Sequence, residues 1–402
     1  MEEEQVLSKV DKKGCFSPRG AVILFALIFA LQIAIYAKIN GTAGIINYLK
    51  NAASGTPGIP RLPPYKKFEA KPNNTANDKL IIYWNSFFGL IDWAQGYGHK
   101  PFKNCKVKNC IATSDKHKFK DSDAMLCHMR SGGCGINELP KERKPNQYWI
   151  YNLMESQENS AHDQGLVPYN GVFNLTMTFK LDSDILASYN SQNTVIDNLN
   201  NKNFVFQKGT KSSVAWVVSN CVTSTAIRGR MAYVAHLEKY ITIKRFGRCP
   251  GHVPCGVNCF TDIAKENKFY FAAENSLCKD YITEKPWNAL KVGMIPIVYG
   301  LGDYSKVLPP HSYIDVRNFK SPQLLANYLN RVASNETLYN SYFKWRESYK
   351  HLQKIQSSFC ELCAFLNQPN PPRRIINHLD QFWSYTNDCV TPETFNRHII
   401  AQ

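Results

Sequence analysis

The chain has 402 residues, 44% of them hydrophobic, with 21 Tyr and 22 Phe, a composition that excludes a disordered polymer and leaves room for two domains. Its net charge of +16 raises nucleic acid as a partner. The Lys and Arg are scattered through alternating apolar segments with no basic helix, so no nucleic-acid contact is expected; an anionic substrate and a negatively charged luminal environment explain the excess as well.

In chain order, residues 1–19 form a basic tail with Lys9, Lys12, Lys13 and Arg19, and residues 20–37 an apolar run broken only by Gln32. Its 18 residues are about the minimum for a membrane span, and the charge bias puts the N-terminus on the cytosolic side. The run is long for a cleaved signal peptide and no small-x-small site follows, so an uncleaved type II signal-anchor is expected. Residues 38–78 carry Gly55, Pro57, Gly58, Pro60, Pro63, Pro64 and Pro72 and read as a stem. A luminal head makes two demands on the rest. Twelve of the 13 cysteines follow the anchor, as disulfides in an oxidising compartment need. Acceptor sequons for N-glycosylation occur at Asn40, Asn73, Asn174 and Asn335.

The head is predicted to open with a strand at Lys79–Trp84. Strands then alternate with polar loops to about residue 200, among them Gln147–Leu153 and Met177–Phe179. A Ser/Asn/Gln-rich passage at 188–203 reads as an interdomain connection, dividing a 79–203 domain from a 204–365 domain. The second half restarts with a strand at Ser213–Val218, an amphipathic helix at Gly229–Tyr240 and a strand at Ile241–Ile243. Such alternation predicts parallel β-α-β units. Residues 366–402 are expected to pack back on the head.

Phe269–Ala273 is a continuous apolar run, as expected of a strand buried on both faces. If Thr283 is the N-cap of the following helix, Pro286 falls in the first turn, where backbone donors lack partners anyway. Gly293 ends that helix and Ile295–Val298 starts the next strand. Lys285 then stands at a helix N-terminus, a place suited to a diphosphate.

Glu155 directly follows a hydrophobic strand, where a general base can stand at a cleft edge, with Glu158 as a nearby decoy. Arg230 lies near the start of a helix, and its donor fork suits paired phosphate oxygens; Arg228 is the comparison residue. Asp182-Ser-Asp184 has the form of a metal-binding Asp-x-Asp. Cys360-Glu-Leu-Cys363 lacks the second Cys pair or histidines that zinc would require, so a local disulfide is expected there. Cys105 and Cys110 could close a small loop, and the other pairings stay open.

The stretch 269–300 resembles the donor-binding motif of the α-1,3-fucosyltransferases: an aromatic strand, Glu274-Asn275-Ser276, then Asp280-Tyr281-Ile282-Thr283-Glu284-Lys285. The likeness covers roughly residues 79–365. It implies a GT-B type α/β fold, two Rossmann-like domains facing a cleft, carried on a Golgi membrane anchor with the head in the lumen. It implies transfer of L-fucose from GDP-fucose to the 3-hydroxyl of a GlcNAc-containing glycan, with inversion. The family's Glu-Ser-Pro is Glu155-Ser156-Gln157 here, and its Glu is the base. Arg230, three residues before Tyr233, and Lys285 would meet the diphosphate. Glu284 and Tyr281 would contact the nucleoside or fucose, with Asn275 and Glu274 lining the pocket. In this family basic residues replace a metal, so no cofactor is expected, Asp182 and Asp184 belong to the fold pattern, and Mn²⁺ would at most stimulate. The family also carries a C-terminal pair like Cys360 and Cys363. His311, in the family-like segment 309–317, is expected to pack. The rival reading is a non-catalytic luminal glycan-binding protein on the same scaffold; intact Glu155, Arg230, Glu284 and Lys285 argue against it. Residues 85–145 do not announce whether the acceptor GlcNAc is antennary or in an N-glycan core.

Overall fold

The structure, a computed structural model, describes residues 77–130, 134–187, 189, 213–221, 225–346, 357–397 and 399–400. The expected anchor and stem, Asn40, Asn73 and nearly all of the 188–203 connection lie outside these residues. Among the described residues no helix is long and apolar enough to cross a membrane.

Two parallel sheets form the head. The first holds β1 (Lys79–Tyr83), β2 (Cys110–Thr113), β3 (Ala124–His128), β4 (Tyr148–Leu153), β5 (Leu175–Thr178) and β6 (Ile185–Leu186) in the order β2-β1-β3-β4-β5-β6. The second holds β7 (Val214–Val217), β8 (Ile243–Phe246), β9 (Phe269–Ala273), β10 (Ile295–Tyr299) and β11 (Ile314–Asp315) in the order β11-β10-β9-β7-β8. Both sheets begin in the middle, step outward once, then reverse. The order therefore changes direction between β1 and β3 in one sheet and between β7 and β9 in the other. A crevice opens at the carboxyl ends of such strands.

The central strands are covered on both faces, so β9 and β10 are continuous apolar runs, while β3, β4 and β5 also bury His128, Asn152, Thr176 and Thr178. β3, β4, β5, β9 and β10 are buried at every position. In the second sheet, helices Thr225–Leu237 and Pro322–Ser334 cover one face, with Tyr233, Val234, Leu325 and Leu329 in the core; helix Glu284–Val292 covers the other through Trp287 and Leu290. The first sheet differs. Its described connections contain only 3-10 turns, and helix Ser358–Leu366 packs onto it from the far end of the chain. Two disulfides, Cys105–Cys360 and Cys110–Cys363, hold that helix down. This corrects the expected local pairs. At i and i+3 both cysteines point from one helical face toward the sheet, where Cys105 and Cys110 meet them.

The C-terminal segment threads between the halves. Trp383 is fully buried beside Tyr151 and Phe179, with ring centroids 5.8 and 5.3 Å away. A Trp so placed removes about 150–250 Å² from water, worth about 4–6 kcal/mol as an upper estimate. Beyond it, Cys389 bonds Cys278 and Phe395 packs 4.8 Å from Tyr299.

Three boundaries depart from expectation; the strand expected at Met177–Phe179 runs over Leu175–Thr178. The helix expected from Gly229 begins at Thr225, with Gly229 in its interior. A Cβ there would meet the Pro392 Cβ at 2.2 Å, so glycine serves close packing, not a helix start. β8 lies at 243–246, later than expected, because it is an edge strand and its polar Lys244 and Arg245 hide the apolar signal.

Candidate active site

The second sheet supplies one wall. β9 ends at Ala273, and the next residue, Glu274, turns under the helix that follows. Its side chain has no solvent exposure. Its carboxylate accepts from Thr283 N at 2.9 Å, Thr283 Oγ1 at 2.7 Å and Lys285 Nζ at 2.9 Å. Thr283 is extended at the N-cap and Gly293 closes the helix with φ 81°, as the sequence requires. The Thr283 hydroxyl, however, does not cap the helix; it faces Glu274. The first-turn amides of Glu284 and Lys285 thus have no side-chain cap, and Pro286 removes a third donor from the same turn. Lys285 Nζ also donates to Thr283 Oγ1 at 2.7 Å, which leaves one of its three donors for a ligand. Glu284 is 48% exposed and 3.7 Å from that ammonium.

Arg230 lies beneath this turn. It is buried, with Nη1 donating to Ala273 O (3.2 Å) and Asn275 Oδ1 (2.7 Å) and Nη2 to Asn220 O (2.8 Å). Its guanidinium therefore ties the ends of β7 and β9 together at the point where the strand order reverses. Nε has no partner among the described residues. Burial pulls the guanidinium below its ordinary pKa, and the Glu274 carboxylate opposes that. Arg228 is exposed on the same helix.

The first sheet supplies the other wall. β4 delivers Glu155, whose side chain is 17% exposed. Arg130, just past β3, places Nη1 2.6 Å from Glu155 Oε2. From the opposite wall, the Tyr281 hydroxyl donates to Glu155 Oε1 at 2.7 Å. The walls also meet through Ser156 and Ser276, whose hydroxyl oxygens are 2.6 Å apart, with Asn159 Nδ2 donating to Ser276 Oγ at 2.8 Å. Gln157 donates 3.0 Å to Asp388, which also takes Lys180 Nζ at 2.6 Å. The departure at Gln157 thus serves the C-terminal segment.

The Asp-x-Asp does not form a paired carboxylate site. Asp184 accepts from Thr176 N and Oγ1 and from Arg374, whereas Asp182 is 49% exposed near Lys180. No cluster of three His, Cys, Asp or Glu side chains suited to a metal occurs among the described residues.

Comparison with known proteins decides the family. A fucosyltransferase N-terminal family model matches residues 76–190, and a glycosyltransferase family 10 (fucosyltransferase) C-terminal model matches 207–383. The 4-galactosyl-N-acetylglucosaminide 3-alpha-L-fucosyltransferase 9 of Homo sapiens is 34% identical over 382 residues, covering 92% of this chain and 99% of that one. The chain belongs to the glycosyltransferase family 10 fucosyltransferases. Alpha-(1,3)-fucosyltransferase C of Drosophila melanogaster is 29% identical over 398 residues, covering 91% of this chain and 87% of that protein. A solved structure titled as an alpha1,3-fucosyltransferase shares the fold with a TM-score of 0.50 at 15% identity, covering 75% of this chain and 93% of its own.

Within this family member, the structure gathers Glu155, Glu274, Asn275, Tyr281, Glu284, Lys285 and Arg230 at the carboxyl ends of the strands, linked by Tyr281–Glu155, Arg230–Asn275, Lys285–Glu274 and Lys285–Glu284 contacts. Three of them stand differently from expectation. Arg230 is 2% exposed and both its terminal nitrogens donate to protein oxygens, Ala273 O and Asn275 Oδ1 from one and Asn220 O from the other, so its fork is not presented to a diphosphate. Tyr281 is 2% exposed and its hydroxyl turns to Glu155; Glu274 underlies the helix instead of lining an open pocket. His311 is exposed with φ 57°, not packed as expected. Sequence reasoning missed Arg130, although it follows the end of a buried strand just as Glu155 does. Asn174, expected as a glycosylation site, is buried. Its Oδ1 accepts from Trp149 N at 2.9 Å and its Nδ2 donates to Arg374 O at 2.8 Å, so its amide has no room for a sugar.

Proposed function

We infer that this protein transfers L-fucose from GDP-β-L-fucose to the 3-hydroxyl of GlcNAc, with inversion, on a GT-B type scaffold. The observation that carries the reading is Glu155 held at the crevice edge while Lys285 and a turn of uncapped amides face the same crevice from the opposite sheet. Glu155 takes the proton of the acceptor hydroxyl as that oxygen attacks the anomeric carbon. The bond to GDP breaks on the opposite face, which turns a β-linked donor into an α-linked product. Lys285, the helix N-terminus and the buried charge of Arg230 stabilise the departing diphosphate. Glu284 and Asn275 border the donor. No metal step is invoked, and a divalent ion such as Mn²⁺ stimulates at most.

The human relative is named for a 4-galactosyl-N-acetylglucosaminide acceptor, and this supports the antennary over the N-glycan core position. Six disulfides among the described residues support a luminal head on a type II Golgi anchor at 20–37. The non-catalytic reading has no support from the family's named relatives. Incubating the secreted head with GDP-fucose and a glycan panel, then mapping products by mass spectrometry and NMR, tests the proposal. An α-1,3-fucosylated antennary product is expected. Absence of any fucosylated glycan would overturn the reading.

A further inference from the structure

Among the contacts that join the two walls, the hydrogen bond from Tyr281 Oη to Glu155 Oε1 reaches the base itself from the segment that carries Lys285. We propose that Tyr281 is a positioning residue for the Glu155 base and couples that base to the donor loop; the inference rests on the fucosyl-transfer reading.

The geometry of the loop supports this. Tyr281 is two residues from Thr283 and four from Lys285, so one short segment carries both the diphosphate cation and the hydroxyl that orients the base. The segment is held at several points. Cys278 is bonded to Cys389, Tyr281 N donates to Cys278 O at 3.2 Å, and Asp280, at φ 61°, accepts from Leu181 N at 3.2 Å. The Tyr281 ring is buried against Phe179, 5.0 Å away, and meets Tyr189 edge-on. Tyr189 in turn donates to the carbonyl of Met154, the residue before the base. A phenol so enclosed stays protonated: burial, then Tyr189 and Glu155, push its pKa well above the ordinary 10.0, so it remains an O–H donor. Arg130 holds the other carboxylate oxygen. The two donors leave the carboxylate little rotational freedom, and one of them comes from the wall that binds the donor. A shift of that loop would release the base as well as Lys285.

The test is a double-mutant cycle with Tyr281→Phe and Glu155→Gln, read as kcat, KM for GDP-fucose and GDP affinity by calorimetry. Phenylalanine keeps the buried ring, and a thermal melt confirms the fold. Tyr281→Phe is expected to lower kcat about 10- to 100-fold, the worth of one hydrogen bond to a charged group, with GDP affinity within about 3-fold. In the double variant the loss should not exceed that of Glu155→Gln alone, because the hydroxyl acts through the carboxylate. Losses that multiply, or a rise in KM and GDP dissociation with kcat unchanged, would show that Tyr281 serves the donor and overturn the proposal. An inactive wild type would instead refute the underlying function.

Discussion

Lys285 Nζ sits 2.9 Å from Glu274 Oε2, joining a nearly buried ammonium to a wholly buried carboxylate at the mouth of the crevice. Lys285→Ala would leave that carboxylate buried with Thr283 alone. Stability is expected to fall by about 3 kcal/mol, together with GDP affinity. In the double variant Lys285→Met/Glu274→Gln the buried charge is gone, so stability should return to within about 1 kcal/mol of wild type while GDP affinity stays low. Urea unfolding and calorimetric titration read the two effects separately. Recovery of both together would remove the separate donor role from Lys285.

The two staples of helix Ser358–Leu366 give a mass-spectrometric signature. Non-reducing peptide maps should link Cys105 to Cys360 and Cys110 to Cys363. A peptide closed internally between Cys360 and Cys363 would contradict the fold. Cys360→Ala should lower stability by about 2–5 kcal/mol, since the bond closes a loop across 255 residues.

Glycan occupancy should follow burial. Asn335 is an exposed N-cap that uses only its Oδ1, accepting from Leu338 N at 2.9 Å, so its Nδ2 can carry a glycan. Asn174 cannot, because both ends of its amide are bonded inside the head. Site mapping of secreted head should find Asn335 occupied and Asn174 bare.

His128 makes an acid-sensitive element. Burial, reinforced by nearby Arg130, pushes its imidazole down from 6.5 to about 4. Its Nε2 has no hydrogen-bond partner among the described residues, and Phe87 and Phe88 lie within 4.5 and 4.7 Å. A folded value below the unfolded one means that the unfolded chain binds the extra proton. The stability contribution is therefore complete above about pH 6.5 and is lost as pH falls toward 4, by up to about 3 kcal/mol. His128→Gln should flatten that part of the stability-versus-pH curve. An unchanged acid slope would contradict the assignment.

The donor side was legible because its local signals agree. An apolar strand, Thr283 at the N-cap, a first-turn Pro286 and Gly293 at the C-terminus each demand the same strand–helix–strand, and the structure has it. The base side was legible only in part. Glu155 was found from the strand before it, whereas Tyr281 and Arg130 reach it across 126 and 25 positions of sequence, a proximity that no local pattern encodes. The same holds for Cys105–Cys360 and for Asn174, whose sequon gives no sign that its amide is buried. Long-range pairing, not propensity, set these outcomes.

The central claim is that the carboxylate of Glu155 accepts the acceptor proton. The most direct measurement is the transfer turnover of Glu155→Gln on a 4-galactosylated GlcNAc acceptor, alongside its affinity for GDP-fucose. Turnover should fall about 100- to 10,000-fold with donor affinity retained, because the amide preserves shape and removes the base. Near-normal turnover with donor bound would contradict the account.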